Sequence, residues 1–312
     1  MKLRQSSVAK SLAIAVFNLV VLVYLIEWYV TQVSSGLLLE YLRHLPLLSV
    51  VPTIFLYILV LVLHGLRLAI LIDAPFGPSF RVVNIGAGLN AILPFRLGEL
   101  ARLYYAKKFY SLSATHLFAA GLVEKFFDLV ALSGLIIVVL LSVDGSYIGK
   151  SLAALLFAMI LAAYLSVLIF RRFSHSIEDW VSAIVPVKDL FAALREQGRV
   201  RHLSQICGYT AVMWIANVGL VYVAFAGFLP EVGFGMIDAI SILLIIALAI
   251  ALPGAPAGLG VFEAGIVAYL TQSRVVPIEL ALACAIVFHF LIFIPQVILM
   301  AFALLEARFQ RR

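Results

Sequence analysis

The feature that most constrains this chain is a recurrence of apolar runs, near residues 10–31, 48–71, 113–142, 150–171, 204–229 and 277–305. Each approaches or exceeds the roughly 20 residues a helix needs to cross the hydrocarbon of a bilayer. Only helices and closed barrels satisfy their own backbone there. The runs lack the alternation over about ten residues that marks barrel strands, which excludes a β-barrel. Charged residues make up 12% of the sequence, about half the usual share of a soluble domain, and mean hydropathy is +1.14. The expected fold class is an all-α polytopic membrane protein.

Two further apolar stretches are interrupted. One, near 82–108, contains "LNAILPFRLGELARLYY", with Pro94 and Gly98 at its break. The other, near 236–271, contains "ALPGAPAGLGVFEAG", where Pro253, Gly254, Pro256, Gly258 and Gly260 rule out a continuous helix. Basic residues favour the cytoplasmic side. Lys2, Arg4 and Lys10 place the N-terminus inside, before an apolar run that reads as an uncleaved first span rather than a signal peptide. Arg67, Arg81, Lys107 and Lys108 then return inside, so 82–108 enters and leaves from the cytoplasmic face. Arg171, Arg172, Lys188, Arg195, Arg199 and Arg201 make 171–203 a cytoplasmic interfacial segment, and Arg308, Arg311 and Arg312 keep the C-terminus inside. For that to close, 236–271 must dip in from the outer side. The expected organisation is six full transmembrane helices plus two re-entrant hairpins, eight hydrophobic segments in all. They form an inverted-topology repeat, N-in and C-in, with half-repeats 1–142 and 143–312. Inverted repeats with broken helices are a transporter architecture.

The net charge of +6 is spread between apolar runs and reads as topology and headgroup contact, not nucleic-acid binding. Cys207 and Cys284 lie in apolar stretches without metal or disulfide spacing. A Gly-rich phosphate loop with its Lys, H-E-x-x-H and G-x-S-x-G are all missing from the sequence. The expectation is a non-enzyme with no cofactor and no metal.

Charged residues at membrane depth are costly and usually face a polar interior. Arg96 follows the first break, where a new helix offers free N–H groups, and its planar guanidinium suits a phosphate. Alternatively it pairs with Glu99, three residues on, and glues the hairpin. Arg102 pairs with Glu99 or reaches headgroups. Glu124, Lys125 and Asp128 lie within the third span, and the two carboxylates share a helix face at i and i+4. They pair with Arg96 or Arg102, take up a proton, or knit the span to the hairpin. Glu263, after the second break, coordinates a cation, carries a proton or caps a helix. His289, among aromatics in "FHFLIF", is a weaker candidate, as is His64, a polar neighbour of Arg67.

With "NAILPFRLGELARLYY…VEKFFDL", "PGAPAGLGVFEAG" and the late "FHFLIFIP" span in order, the chain resembles the lysylphosphatidylglycerol synthase transmembrane region. This is the flippase-like domain of multiple peptide resistance factors. The likeness covers nearly the whole chain. It places a P-x-R-x-G-E element on Pro94, Arg96, Gly98 and Glu99, with Arg102 after it. It places an acidic-basic-x-x-acidic element on Glu124, Lys125 and Asp128, where many members carry arginine at the basic position. A P-x-G-x-G-x-x-E element falls on Pro256, Gly258, Gly260 and Glu263. The resemblance implies a stand-alone flippase-like transporter without the synthase domain. It would sit in the bacterial inner (cytoplasmic) membrane and move an anionic phospholipid or polyprenyl-phosphate lipid between leaflets. Two alternatives stand: a non-catalytic partner docking a cytoplasmic lipid-modifying enzyme, and an integral-membrane lipid transferase. A homodimer is left open.

Overall fold

The computed structural model describes residues 27, 31, 33–93, 97–142, 200–251 and 256–309. The spans at 10–31 (but for Glu27 and Thr31) and 150–171, most of the 171–203 segment, and Pro94, Arg96 and Pro253 lie outside the described residues. Every regular element among the described residues is helical. In chain order these are α1 (Ser35–His44), α2 (Val50–Leu71), α3 (Phe76–Ile92), α4 (Leu97–Tyr110) and α5 (Ala114–Ser142). There follow α6 (Val200–Phe228), α7 (Met236–Ala251), α8 (Val261–Arg274) and α9 (Ile278–Phe309). Short 3₁₀ turns occupy Leu47–Ser49 and Pro256–Gly258.

Among the described residues four helices are long and apolar enough to span a membrane: Val50–Leu71, His116–Ser142, Ser204–Phe228 and Ile278–Ala307. They match four of the runs seen in the sequence, and the chain is a multi-pass membrane protein. The two interrupted stretches resolve into the helix pairs α3–α4 and α7–α8, with each break at the Pro/Gly cluster. Pro295 lies inside α9. It removes one ladder hydrogen bond, a loss that membrane helices tolerate.

The described residues fall into two compact units, each drawing on both halves of the sequence. The first lies within 1–58, 84–101 and 218–305 and holds both helix breaks. Its core is aromatic: the Phe225 ring lies 5.2 Å from Phe288 and 5.6 Å from Phe234, and Phe262 stacks 6.2 Å from Phe288. The second lies within 59–83, 102–217 and 306–312. There Leu68, Leu71, Val82, Val83, Ala106, Leu117, Ala120 and Ile206 pack together, while Val60, Leu63, Met213 and Ala216 form a neighbouring cluster.

Glycine sets two close approaches in the first unit. A Cβ on Gly98 would strike the carbonyl of Gly86 and the backbone nitrogen of Asn90, so only glycine lets α4 begin against α3. A Cβ on Gly265 would strike Ile245 Cγ2, which fixes how closely α8 lies against α7.

Candidate functional site

Two clusters of buried charge stand out, one in each unit. The larger centres on Arg67, near the C-terminal end of α2 and 1% exposed. Its Nη1 donates to Asp128 Oδ1 at 2.7 Å and its Nη2 to Asp128 Oδ2 at 3.3 Å, a two-pronged pair. Nη1 also reaches Thr210 Oγ1 of α6 at 3.1 Å, and the Trp214 indole N–H donates to Asp128 Oδ1 at 3.3 Å. Arg67 Nε lies 3.7 Å from Glu124 Oε1. Glu124 accepts in turn from Arg102 of α4, Nη1 at 3.4 Å and Nη2 at 3.3 Å. Helices α2, α4, α5 and α6 all contribute. Two guanidinium and two carboxylate groups cancel, which is the arrangement in which buried charge is least costly. Of the alternatives open for Glu124, Asp128 and Arg102, the structure realises the cross-helix pairing: Arg102 meets Glu124, and both carboxylates face Arg67.

The second cluster lies at the start of α8. Ala257, Gly258 and Gly260 all take positive φ, at 52, 74 and 87 degrees, so the chain turns sharply through a left-handed stretch. That conformation favours glycine at 258 and 260. Gly260 then precedes the first turn of α8, and Glu263 Oε2 accepts its N–H at 2.7 Å. Glu263 Oε1 lies 2.5 Å from His289 Nδ1 of α9. Both side chains are buried, with the Phe262 ring centroid 4.4 Å from that of His289. Helix capping is therefore the role that the contacts give Glu263, and His289 is its partner, not a lone packing residue.

The open end of the same hairpin is clamped by Asp238, 1% exposed in the first turn of α7. Its carboxylate accepts from Arg274 Nε at 2.6 Å and Nη2 at 2.5 Å, from Tyr269 Oη at 2.8 Å and from the Gly235 N–H at 2.7 Å. The hydrogen bonds to Asp238 raise the pKa of Arg274 further above its usual range.

A family model described as the lysylphosphatidylglycerol synthase TM region matches residues 10–299. The chain belongs to this family. A search of curated proteins found no match.

In this member of the lysylphosphatidylglycerol synthase TM region family, the sequence candidates divide into three sets. Arg102, Glu124 and Asp128 are brought together in the second unit, and Glu263 and His289 meet in the first. Glu99 sits half-buried in the first turn of α4. Lys125 is exposed and makes no ion pair among the described residues. Arg67, Thr210, Trp214, Asp238, Tyr269 and Arg274 were not among the sequence candidates. For Arg67 a signal existed, a full charge inside an apolar run. It reads as a topology marker beside His64, and only packing reveals that it is the hub of the larger cluster. Among the described residues no three His, Cys, Asp or Glu side chains gather as a metal site would require.

Proposed function

We propose that this protein translocates lipids between leaflets of a bacterial inner membrane, taking an anionic phospholipid or a polyprenyl-phosphate lipid as substrate. Membership of a membrane-domain family often linked to lipid flipping supports the reading. The observation that carries it is the pair of broken helices, α3–α4 and α7–α8, within an otherwise apolar helical protein. Broken backbone at membrane depth survives where protein covers it or where it borders a wet cavity. In transporters such half-helices meet the substrate near the bilayer midplane. Arg96, between α3 and α4, follows the first break and precedes a fresh helix N-terminus, a setting that favours a phosphate group. The headgroup then crosses along polar side chains while the acyl or prenyl chains stay in the bilayer. No bond is made or broken, so the activity needs neither cofactor nor synthase chemistry.

The test is reconstitution in vesicles carrying a headgroup-labelled anionic lipid, with a membrane-impermeant quencher outside. Wild-type protein exposes the inner-leaflet label to the quencher. Arg96→Ala, recovered folded, leaves it protected. Equal exchange by that variant removes Arg96 from the path.

A further inference from the structure

Lys125 is out of place for a residue that the rest of the protein accounts for. Along α5 the side chains of Phe118, Leu122, Phe126, Val130, Ile137 and Leu141 are exposed at helical spacing, a stripe running nearly the length of the helix. The opposite face, with Leu117, Ala120 and Glu124, is buried. Lys125 is exposed between Leu122 and Phe126 and is the one charged residue on that stripe. Glu124 turns to the buried face and Asp128, one turn beyond Lys125, lies beside it, but Arg67 and Arg102 supply their hydrogen-bonded partners. So the buried network is balanced without Lys125, and the lysine carries surplus positive charge on an apolar face.

Its depth is also informative. With α5 at 29 residues, about 44 Å at 1.5 Å per residue, the helix overreaches a hydrocarbon core of about 30 Å. Lys125 lies eleven residues after Ala114, below the headgroup level at the N-terminal end of α5. Side chains on a helix lean toward its N-terminus, so the ammonium group points back to the nearer interface. A cation there, flanked by Phe118, Leu122 and Phe126, matches an amphiphile with a phosphate at one end and hydrocarbon at the other.

We propose that Lys125 is the docking point for a phosphate-bearing lipid, which enters along the exposed face of α5 from the leaflet nearer the N-terminal end of that helix. The phosphate takes the ammonium group and the chains lie over the apolar stripe. This deepens the transport reading and rests on it for its purpose, but binding can be measured without transport.

The experiment is native mass spectrometry of the full chain in detergent, titrated with phosphatidylglycerol, with diacylglycerol as the phosphate-free control. Wild-type protein is expected to prefer phosphatidylglycerol. Lys125→Ala should weaken that binding about tenfold, as loss of a charge-assisted contact does. Lys125→Arg should keep it, and Lys125→Glu should abolish it with no change in melting temperature. Equal phosphatidylglycerol binding by wild type and Lys125→Ala overturns the proposal. So does displacement of the lipid by an equal concentration of glycerol phosphate, which would mark a site for the free anion. Lys125-dependent binding in a protein that exchanges no lipid between leaflets leaves this site standing and removes the transport reading.

Discussion

Around Arg67, two arginines and two carboxylates from three helices are tied across sequence separations of 61 and 22 residues, with Thr210 and Trp214 closing the shell. Around Glu263, a single carboxylate joins its own helix start to one neighbour, His289, 26 residues on. The first cluster binds helices together; the second holds one turn in shape. Both pair their charges internally, although Arg67 Nε and Glu124 Oε1, 3.7 Å apart, make no hydrogen bond, and that pairing is the lesson of the comparison. A charged group at membrane depth is a functional candidate only after its partners have been counted, and among the described residues of α5 Lys125 makes no ion pair.

The comparison predicts unequal losses. Arg67→Ala strands Asp128, leaves Glu124 with Arg102, and should cost about 3–5 kcal/mol, the range for breaking a buried pair from one side. Thermal unfolding in detergent measures it. Replacing both partners, Arg67→Met with Asp128→Leu, should cost less than either change alone. An additive loss would mean that the two side chains do not act as a pair.

Glu263→Ala should be milder, about 1–3 kcal/mol, because it leaves the Gly260 N–H and His289 without their acceptor. Glu263→Gln keeps a side-chain oxygen for Gly260 and should recover part of that loss in the same melts. If Glu263→Ala costs more than Arg67→Ala, the ranking of the two clusters is wrong.

At the first break, Gly98→Ala should cost about 1–3 kcal/mol through overpacking against Gly86 and Asn90. Arg274→Ala opens a pair whose arginine is 35% exposed. Its partner Asp238 is 1% exposed and keeps Tyr269 and the Gly235 N–H as donors, so the loss should be about 1–3 kcal/mol despite solvent around the arginine. Smallest of all, Lys125→Ala should leave stability within about 0.5 kcal/mol, as expected of an exposed side chain outside any network.

How far these features could be read without coordinates follows from their range. Spans and breaks are local. The apolar run at 48–71 becomes Val50–Leu71, the run at 113–142 becomes Ala114–Ser142, and both Pro/Gly clusters separate helix pairs. That Glu124 and Asp128 share a face follows from their i and i+4 spacing. Partner choice is not local. That Arg102 reaches Glu124, twenty-two residues away, follows from the packing of α4 beside α5 and from no periodicity. Arg67 near the end of an apolar run has the same sequence signature as a headgroup anchor, and burial alone separates the two. Thr210 and Trp214 carry no signal of their own, because they matter only through what they touch.

The most direct test of the central claim is leaflet exchange by the purified, reconstituted protein. Vesicles with headgroup-labelled phosphatidylglycerol on both faces are treated with an impermeant quencher, with and without the protein. The account predicts that folded wild-type protein brings the inner-leaflet label within reach of the quencher, that Arg96→Ala does not, and that protein-free vesicles remain protected. Protection of the inner leaflet by folded wild-type protein, at any density that incorporates at least one copy per vesicle, would contradict it.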